Sequence, residues 1–347
     1  MLEQFARQLA AAQPLSDAQV REAVELLTDE KIPALAKADF LTALAQKGES
    51  PEEIAAFARA LRDKSVPPPL DPDTRAREIL DVVGTGGDRL GTFNISTTAA
   101  LVCAGAGVTV AKHGNRAVTS QAGSADVLEA LGVRIDLPPP EAARSLSEHS
   151  FAFFFAPAYH PAFKHIAAAR KLCAQRGQRT IFNFLGPLLN PARPSAMLVG
   201  VPQPELCEPL ARVLQSLGVR RAMVVCGSAA GAGYLDELST LGGNTVAEFY
   251  QERGLAVSVL SPADFALQPA TLADLLGGGK ADNAEIMRRI LRGEERGPQR
   301  DAVLLNAAAA LFVAGRARTI EDGWALAAAT VDAGRAAAKL QELSEAD

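Results

Sequence analysis

Two hydrophobic patterns divide the chain. Up to about residue 65, apolar residues recur every three or four positions, which predicts amphipathic helices. Two segments, Ser16-Asp17-Ala18-Gln19 and Ser50-Pro51-Glu52-Glu53, have the spacing of a capping box, in which a serine and a residue three positions later bond each other's backbone. This part of the chain is predicted to be a small all-helical unit.

A proline-rich stretch follows, Val66-Pro67-Pro68-Pro69-Leu70-Asp71-Pro72. Proline lacks the amide hydrogen that a helix interior needs, so the stretch predicts a stiff, extended linker and a domain boundary.

Beyond the linker, short apolar runs alternate with alanine-rich helical stretches. The runs are predicted to be buried strands at 79–83, 108–111, 152–156, 196–200 and 221–225, and the helices to lie at 96–104, 124–131, 205–217 and 302–314. Strands alternating with helices indicate an α/β domain with a mostly parallel central sheet.

Composition narrows the function classes. The chain has 347 residues, enough for two domains, and its 48% hydrophobic and 22% charged residues exclude a disordered protein. A formal net charge of −5 and only 5% aromatic residues argue against a nucleic-acid partner. The cysteines, Cys103, Cys173, Cys207 and Cys226, include no CxxC pair, so we expect reduced thiols instead of disulfides or a zinc site.

The sequence also predicts no membrane partner. Its first residues do not combine a basic start with an apolar run, and no stretch reaches about 18 uninterrupted apolar residues. We therefore expect a soluble, cytoplasmic protein.

The first predicted strand runs into a glycine-rich turn, Gly84-Thr85-Gly86-Gly87-Asp88. The segment Gly91-Thr92-Phe93-Asn94-Ile95-Ser96-Thr97 then leads into a helix. Glycines let backbone N–H groups approach a phosphate, and the start of a helix adds positive potential. The turn lacks the Gly-Lys-Ser/Thr of a P-loop and the spacing of a dinucleotide fingerprint. Taken by itself, this segment could also be a tight turn with a purely structural role.

A second polar cluster makes a ligand site the better interpretation. The strand at 108–111 leads directly into Lys112-His113-Gly114-Asn115-Arg116, and small polar residues follow from Thr119 to Ser124. In open α/β sheets, ligands bind beyond the carboxyl ends of the strands, where this lysine would lie.

In these segments and in others along nearly the whole chain, the sequence resembles the anthranilate phosphoribosyltransferases. The further matching segments are Gly123-Ser124-Ala125-Asp126, Tyr159-His160-Pro161, Arg179-Thr180-Ile181-Phe182-Asn183, Leu185-Gly186-Pro187-Leu188, Asn190-Pro191, Leu235-Asp236-Glu237 and Leu304-Leu305-Asn306-Ala307.

The resemblance implies a reaction and an architecture. The reaction transfers the phosphoribosyl group of 5-phosphoribosyl 1-diphosphate to the amine of anthranilate in tryptophan biosynthesis. The fold would combine a small helical domain, through which a homodimer forms, with a large α/β domain, and the active site would lie in the cleft between them. We expect the helical domain at 1–70, joined in space by about 160–190, and the α/β domain at 71–159 and 191–347.

The resemblance also assigns residues to each part of the site, with Lys112 and His113 as the catalytic pair. The diphosphate sugar would contact Gly84, Thr85, Gly86, Gly87, Asp88, Thr92, Asn94, Ser96, Thr97, Lys112, Asn115, Ser120 and Ser124. Mg²⁺ would be held by Ser96, Asp236 and Glu237, directly or through water, and anthranilate would face Gly84, His113, Asn115, His160 and Arg170. Arg116 is also expected to meet anions in the cleft.

Two segments depart from the family pattern and leave alternatives open. Lys171 to Gln178 is about three residues longer than usual, which makes Arg176 or Arg179 a rival of Arg170 for the acceptor carboxylate. Cys226 to Tyr234 is also longer, with Cys226 in place of a histidine. The alternatives are a related transferase that uses another aromatic amine, a nucleoside phosphorylase of the same fold, and a non-catalytic relative that binds nucleic acid.

Overall fold

The computed structural model describes residues 1–117, 121–251 and 253–346. Its α-helices are α1 Leu2–Ala10, α2 Asp17–Thr28, α3 Ala34–Lys47, α4 Pro51–Arg62, α5 Pro72–Ala76, α6 Ile95–Gly105, α7 Ser124–Ala130, α8 Pro139–His149, α9 Ala156–Tyr159, α10 Ala167–Gln175, α11 Phe182–Leu188, α12 Cys207–Ser216, α13 Lys280–Leu291, α14 Pro298–Val313, α15 Ile320–Asp332 and α16 Arg335–Glu345. Its strands are β1 Ile79–Gly84, β2 Thr109–Gly114, β3 Phe151–Phe155, β4 Ala196–Gly200, β5 Arg221–Ser228, β6 Tyr234–Leu235, β7 Asn244–Tyr250 and β8 Arg253–Leu260.

The strands form one mixed sheet in the order β3-β2-β1-β4-β5-β7-β8, with β6 paired to β5. The five strands predicted from apolar runs are β1 to β5, and all four pairings among them are parallel. The prediction of a mostly parallel α/β domain is therefore confirmed. The antiparallel strands β7 and β8 were not predicted, because exposed positions interrupt the apolar pattern of β8 and polar Asn244, Thr245 and Glu248 interrupt that of β7.

The amino-terminal helices begin where the capping boxes predict. Ser16 and Gln19 bond reciprocally at the start of α2, and Ser50 and Glu53 do the same at α4. The buried face of these helices belongs to an apolar cluster that also includes residues of α10 and α11 and one face of β4 and β5. Lys37 ties the two helical segments together, since its Nζ donates to the carbonyls of Asp29 and His165, each at 2.7 Å. The prediction of a small helical domain is confirmed.

The domain boundaries stay a prediction, because that cluster continues from the helices into the sheet. The linker differs slightly from the expectation. Residues 66–71 are neither helix nor strand, but Pro72 begins α5, whose first turn Asp71 caps by accepting from the amide of Thr74 at 2.9 Å.

Successive side chains of the strands point to opposite faces of the sheet. Val82 and Val110 pack on the face that carries α6 and α14, whereas Ile79 and Ala111 belong to the cluster on the other face. Lys112 and His113, neighbours on β2, therefore point to opposite faces. Within the described ranges, none of the helices combines the length and the apolar character that crossing a membrane requires.

Candidate active site

The glycine turn lies against the Asp236-Glu237 pair. Gly84 of β1 is paired with Gly200 of β4, and a Cβ added to Gly84 would lie 2.2 Å from Asp236 Oδ2. A Cβ added to Gly200 would lie 1.6 Å from the carbonyl oxygen of Asp236. The amide of Gly86, which has a φ of +75°, donates to Asp236 Oδ2 at 2.6 Å. Glycine is therefore required here so that two segments 150 residues apart can touch.

Glu237 reaches the start of α6. Its Oε1 accepts from the amide of Ser96 at 3.0 Å, as expected for a carboxylate at the positive end of a helix. Asn94 is fixed beside it, since its Nδ2 donates to the carbonyl of Ala122 at 3.1 Å and its Oδ1 accepts from Asn283 at 3.0 Å. The expected phosphate and metal groups of this half of the site are thus brought together.

The carboxylates in this half are crowded. Burial, and next the nearby charges of Asp88 and Glu237, raise the pKa of Asp236 well above its usual value. Burial raises the pKa of Glu237 to about 7, although Lys112 counteracts part of this effect. A divalent cation would relieve this repulsion, so the residues fit Mg²⁺. Among the residues that the structure describes, no group of three or more His, Cys, Asp or Glu could hold a metal. These residues therefore fit an ion whose other ligands are oxygen atoms of the substrate phosphates.

Lys112 lies inside the sheet and not in the loop that the sequence predicts, because β2 continues to Gly114. Its side chain is buried, and its Nζ donates to the carbonyl of Val82 at 2.6 Å. Burial lowers the pKa of Lys112, and the charges of Asp81 and Glu237 oppose that change. The ammonium group is thus held directly beneath the glycine turn.

On the opposite face, aromatic rings connect β2 to α10. The ring of His113 meets that of His160 at 5.3 Å between centroids, and His160 stacks on Phe163 at 5.2 Å. Phe163 contacts Phe182 at 5.6 Å, and the guanidinium carbon of Arg170 lies 5.3 Å from the centre of the Phe182 ring. Three of the five residues expected to face anthranilate, His113, His160 and Arg170, are therefore linked by one continuous series of ring contacts, whereas Gly84 and Asn115 take no part in it.

Both histidines are neutral at pH 7. Burial, followed by the proximity of His160, lowers the pKa of His113 to about 3, and burial lowers that of His160 to about 4. Nδ1 of His113 lies 3.2 Å from the carbonyl of Gly186, which can only accept, so Nδ1 carries the proton. Nε2 of His113 is buried without a hydrogen-bond partner among the described residues, and it is left as an acceptor.

The arginines separate in space. Arg176 pairs with Asp39 at 2.9 Å on the helical segment, and Nη2 of Arg179 lies 3.1 Å from the position of a Cβ on Gly87. Arg170 alone of these three lies on the aromatic surface. Arg116 does not extend into the site, because it pairs with Asp126 at 2.9 Å and with Glu129 at 3.0 Å.

Of the remaining expected residues, Thr85, Asn115 and Ser124 lie at the ends of β1 and β2 or beside them. The amide of Thr85 donates to the carbonyl of Gly200 at 2.9 Å, Asn115 is exposed, and Ser124 Oγ donates to the carbonyl of Asn115 at 3.4 Å. Thr92 forms a bridge with Leu276, and Thr97 is buried in α6. Ser120 lies outside the described residues. Cys226 is buried within β5, where burial raises the pKa of its thiol.

Two polar residues beside the site were not identified from the sequence as candidates. Asp81 of β1 and Asn190, which follows α11, are fully buried and hydrogen-bonded to each other at 2.9 Å. A signal did exist for Asp81, because it is a charged residue within an otherwise apolar strand.

Comparison with known proteins places this geometry in a family. Residues 76–337 match the α/β domain of the glycosyl transferase family, and residues 3–65 match the helical bundle domain of that family. A curated relative, the anthranilate phosphoribosyltransferase of Moorella thermoacetica, is 47% identical over 99% of this chain and 97% of its own length.

Solved structures agree with that match. The anthranilate phosphoribosyltransferase of Thermus thermophilus superposes with a TM-score of 0.88 at 42% identity and covers 98% of both chains. The Saccharomyces cerevisiae enzyme, solved in complex with PRPP and Mg, superposes with a TM-score of 0.86 at 28% identity over 99% of this chain and 96% of its own. With its two-domain fold and the site described above, this chain belongs to the anthranilate phosphoribosyltransferase family of glycosyl transferases.

Proposed function

We propose that this protein transfers the 5-phosphoribosyl group from 5-phosphoribosyl 1-diphosphate to the amine of anthranilate, giving N-(5-phosphoribosyl)anthranilate and diphosphate, in tryptophan biosynthesis. The observation that carries the proposal is the two-sided edge of the sheet. Lys112 and the glycine turn serve phosphates on one face, and neutral His113 with the aromatic surface serves a planar acceptor on the other.

Substitution at the anomeric carbon passes through a state with oxocarbenium character, and negative charge grows on the departing diphosphate. We assign Lys112 and the backbone amides of the glycine turn to that charge, because preorganised donors are most effective where charge develops. When bound, Mg²⁺ would supply further charge neutralisation on the diphosphate oxygens, with Ser96, Asp236 and Glu237 as the residues that hold it.

The acceptor half has a different task. An aromatic amine is already neutral at pH 7, so its attack needs orientation more than a strong base. His113 Nε2 can accept a hydrogen bond from the amine, because the proton of the ring is committed to Gly186. The guanidinium of Arg170 can pair with the carboxylate of anthranilate, whose geometry matches its planar fork.

A steady-state assay tests the proposal directly. Anthranilate fluorescence should decrease when enzyme, 5-phosphoribosyl 1-diphosphate and Mg²⁺ are combined, and chelation of the metal should stop the decrease. No turnover at micromolar enzyme would refute the proposal. Faster turnover of another aromatic amine would instead support the alternative acceptor that the two longer segments left open.

We also propose a cytoplasmic homodimer that forms through the helical domain. The family resemblance carries the dimer, and Leu35 of α3, an apolar side chain that is 55% exposed, offers a position in the helical domain at which to test it. The four cysteines are buried free thiols, which fits a reducing compartment. Light scattering coupled to gel filtration would test the dimer: Leu35→Glu should shift the mass toward the monomer, whereas an unchanged mass would contradict that interface.

A further inference from the structure

The neighbouring strands β1 and β2 separate where the active site begins. Among the described residues, the register between β1 and β2 ends at Leu80↔Val110. On the outer sides the ladders continue, to Gly84↔Gly200 between β1 and β4 and to Gly114↔Phe155 between β2 and β3. A wedge therefore opens between the last residues of β1 and β2, directly below the glycine turn and Lys112.

Side chains provide the hydrogen bonds that the missing ladder would have made. The carbonyl of Ala111 accepts from Asn190 Nδ2 at 2.7 Å, and the amide of His113 donates to Asp81 Oδ1 at 3.4 Å. The carbonyl of Val82 accepts from Lys112 Nζ at 2.6 Å. Buried backbone groups are costly without partners, so these three side chains stabilise the open wedge.

Asn190 connects the wedge to the acceptor half of the site. Its Nδ2 also donates to Asp81 Oδ2 at 2.9 Å, and its Oδ1 accepts from the amide of Ala192 at 2.9 Å. Asn190 lies two residues after the end of α11. In that helix, the carbonyl of Gly186 accepts a hydrogen bond from Nδ1 of His113. The side-chain amide of Asn190 thus joins β1, β2 and the segment that leaves α11.

Filling this gap with a buried carboxylate costs free energy, because the charge loses its hydration. Asp81 is 0% exposed, and burial raises its pKa to about 6, with Lys112 and Asn190 opposing that change. Ordinary strand pairing would satisfy the same backbone groups without burying a charge. A buried charge kept beside a reactive centre is typical of a functional requirement and not of a gain in stability.

We propose that Asp81 and Asn190 are positioning residues that hold β1 and β2 apart, and so set the spacing between the glycine turn and Lys112–His113. The proposal rests on the proposed function, because it assigns both residues a role in phosphoribosyl transfer. Neither residue needs to contact a substrate. Both act by positioning the ends of β1 and β2, and those ends carry the residues that contact the substrates.

Exchanging the two side chains provides the test. Asp81→Asn can place two side-chain NH₂ groups opposite each other, so the hydrogen bond with Asn190 loses its acceptor. Asn190→Asp places two carboxylates opposite each other, so the same bond loses its donor. The double variant D81N/N190D restores one donor–acceptor pair with its direction reversed, although Ala111 still loses its donor. Each single variant should lower kcat about 30-fold, with both KM values within about threefold of wild type, because small displacements of reacting groups are costly. The double variant should recover at least about fivefold over the worse single variant.

Glu53→Gln is the matched control. Glu53 is also a buried carboxylate that accepts backbone amides, from Leu15 and Ser50, each at 3.0 Å, but it lies in the helical domain. The Glu53→Gln substitution should lower the free energy of unfolding and leave kcat unchanged. If both folded single variants keep kcat within about threefold of wild type, or if the double variant is no better than the worse single variant, the positioning role is wrong.

Hydrogen exchange tests the wedge independently of activity. In the wild-type protein the His113 amide should exchange as slowly as amides inside the ladder, and Asp81→Ala should accelerate it at least about tenfold. If the variants do not fold, the wild-type measurement decides alone: exchange of His113 as fast as that of exposed Asn115 would overturn the proposal, and slow exchange would support it. A wild-type enzyme without transferase activity would refute the proposed function, whereas the exchange result would still report on the wedge.

Discussion

The two faces of the sheet at its carboxyl edge handle charge in opposite ways. On the face of Lys112, an ammonium group, backbone amides and a crowded carboxylate pair lie within one small region. On the face of His113, neutral histidine rings lie among aromatic side chains, with Arg170 at the far end, and the buried carboxylate of Asp81 is bonded to Asn190. One strand serves both regions because its side chains alternate, so adjacent residues can address two chemically different substrates.

The largest effect is expected from Lys112→Ala. Loss of the buried ammonium group beneath the glycine turn should lower kcat/KM by about 1000-fold, since it removes charge stabilisation of the leaving group. The KM for 5-phosphoribosyl 1-diphosphate should rise more than the KM for anthranilate. Lys64→Ala, which removes an exposed pair with Glu25, is the control. A larger rise for anthranilate would break the division between the two faces.

Acid should destabilise the histidine face. The unfolded chain binds a proton on a histidine near pH 6.5, whereas folded His160 does so only near pH 4, so stability is lost as the pH falls between these values. The wild-type free energy of unfolding should therefore decrease by about 3 kcal/mol more than that of His160→Asn between pH 7 and pH 4. Urea titrations at both pH values measure this difference. His165→Asn controls for the loss of a histidine, and equal pH dependence of wild type and His160→Asn would contradict the neutral ring.

Gly84→Ala should disturb the phosphate face more than the acceptor face. The added Cβ would lie 2.2 Å from Asp236 Oδ2, so the carboxylate must move. We expect kcat/KM for 5-phosphoribosyl 1-diphosphate at limiting Mg²⁺ to fall about 100-fold, because groups that hold the metal are displaced. Gly254→Ala on β8, where a Cβ meets nothing within 4 Å, is the matched control. An unaffected metal dependence would refute the role of Asp236.

The smallest effect distinguishes the three arginines. Arg170→Ala should raise the KM for anthranilate about tenfold, as expected for loss of one charged hydrogen-bonding partner. Arg179→Ala, next to Gly87, should act on the diphosphate sugar instead, and Arg176→Ala should change neither constant because Arg176 pairs with Asp39. If Arg179→Ala alone raises the KM for anthranilate, the acceptor assignment must move to Arg179.

Much of this architecture could be predicted from local signals. The five apolar runs correspond to the parallel strands β1 to β5. Ser16 and Ser50 cap α2 and α4, the helices that they were expected to start. The glycine turn was identified because closely spaced glycines after a strand indicate a tight turn, although the contact that requires them, with Asp236, could not be seen in the sequence. Strand β8 was missed because an edge strand with exposed positions has no continuous apolar pattern, and β7 because polar Asn244, Thr245 and Glu248 interrupt its apolar residues.

The sequence by itself determined which residues could serve phosphate, metal and acceptor, because residue type and local spacing specify chemistry and the secondary structure that presents it. Only the tertiary structure decided how they are combined. It placed Asp236 against Gly86 across 150 residues of chain, paired Arg116 with Asp126, and separated β1 from β2 around Asp81 and Asn190. These outcomes depend on packing between distant segments, whose energies no local window of sequence contains.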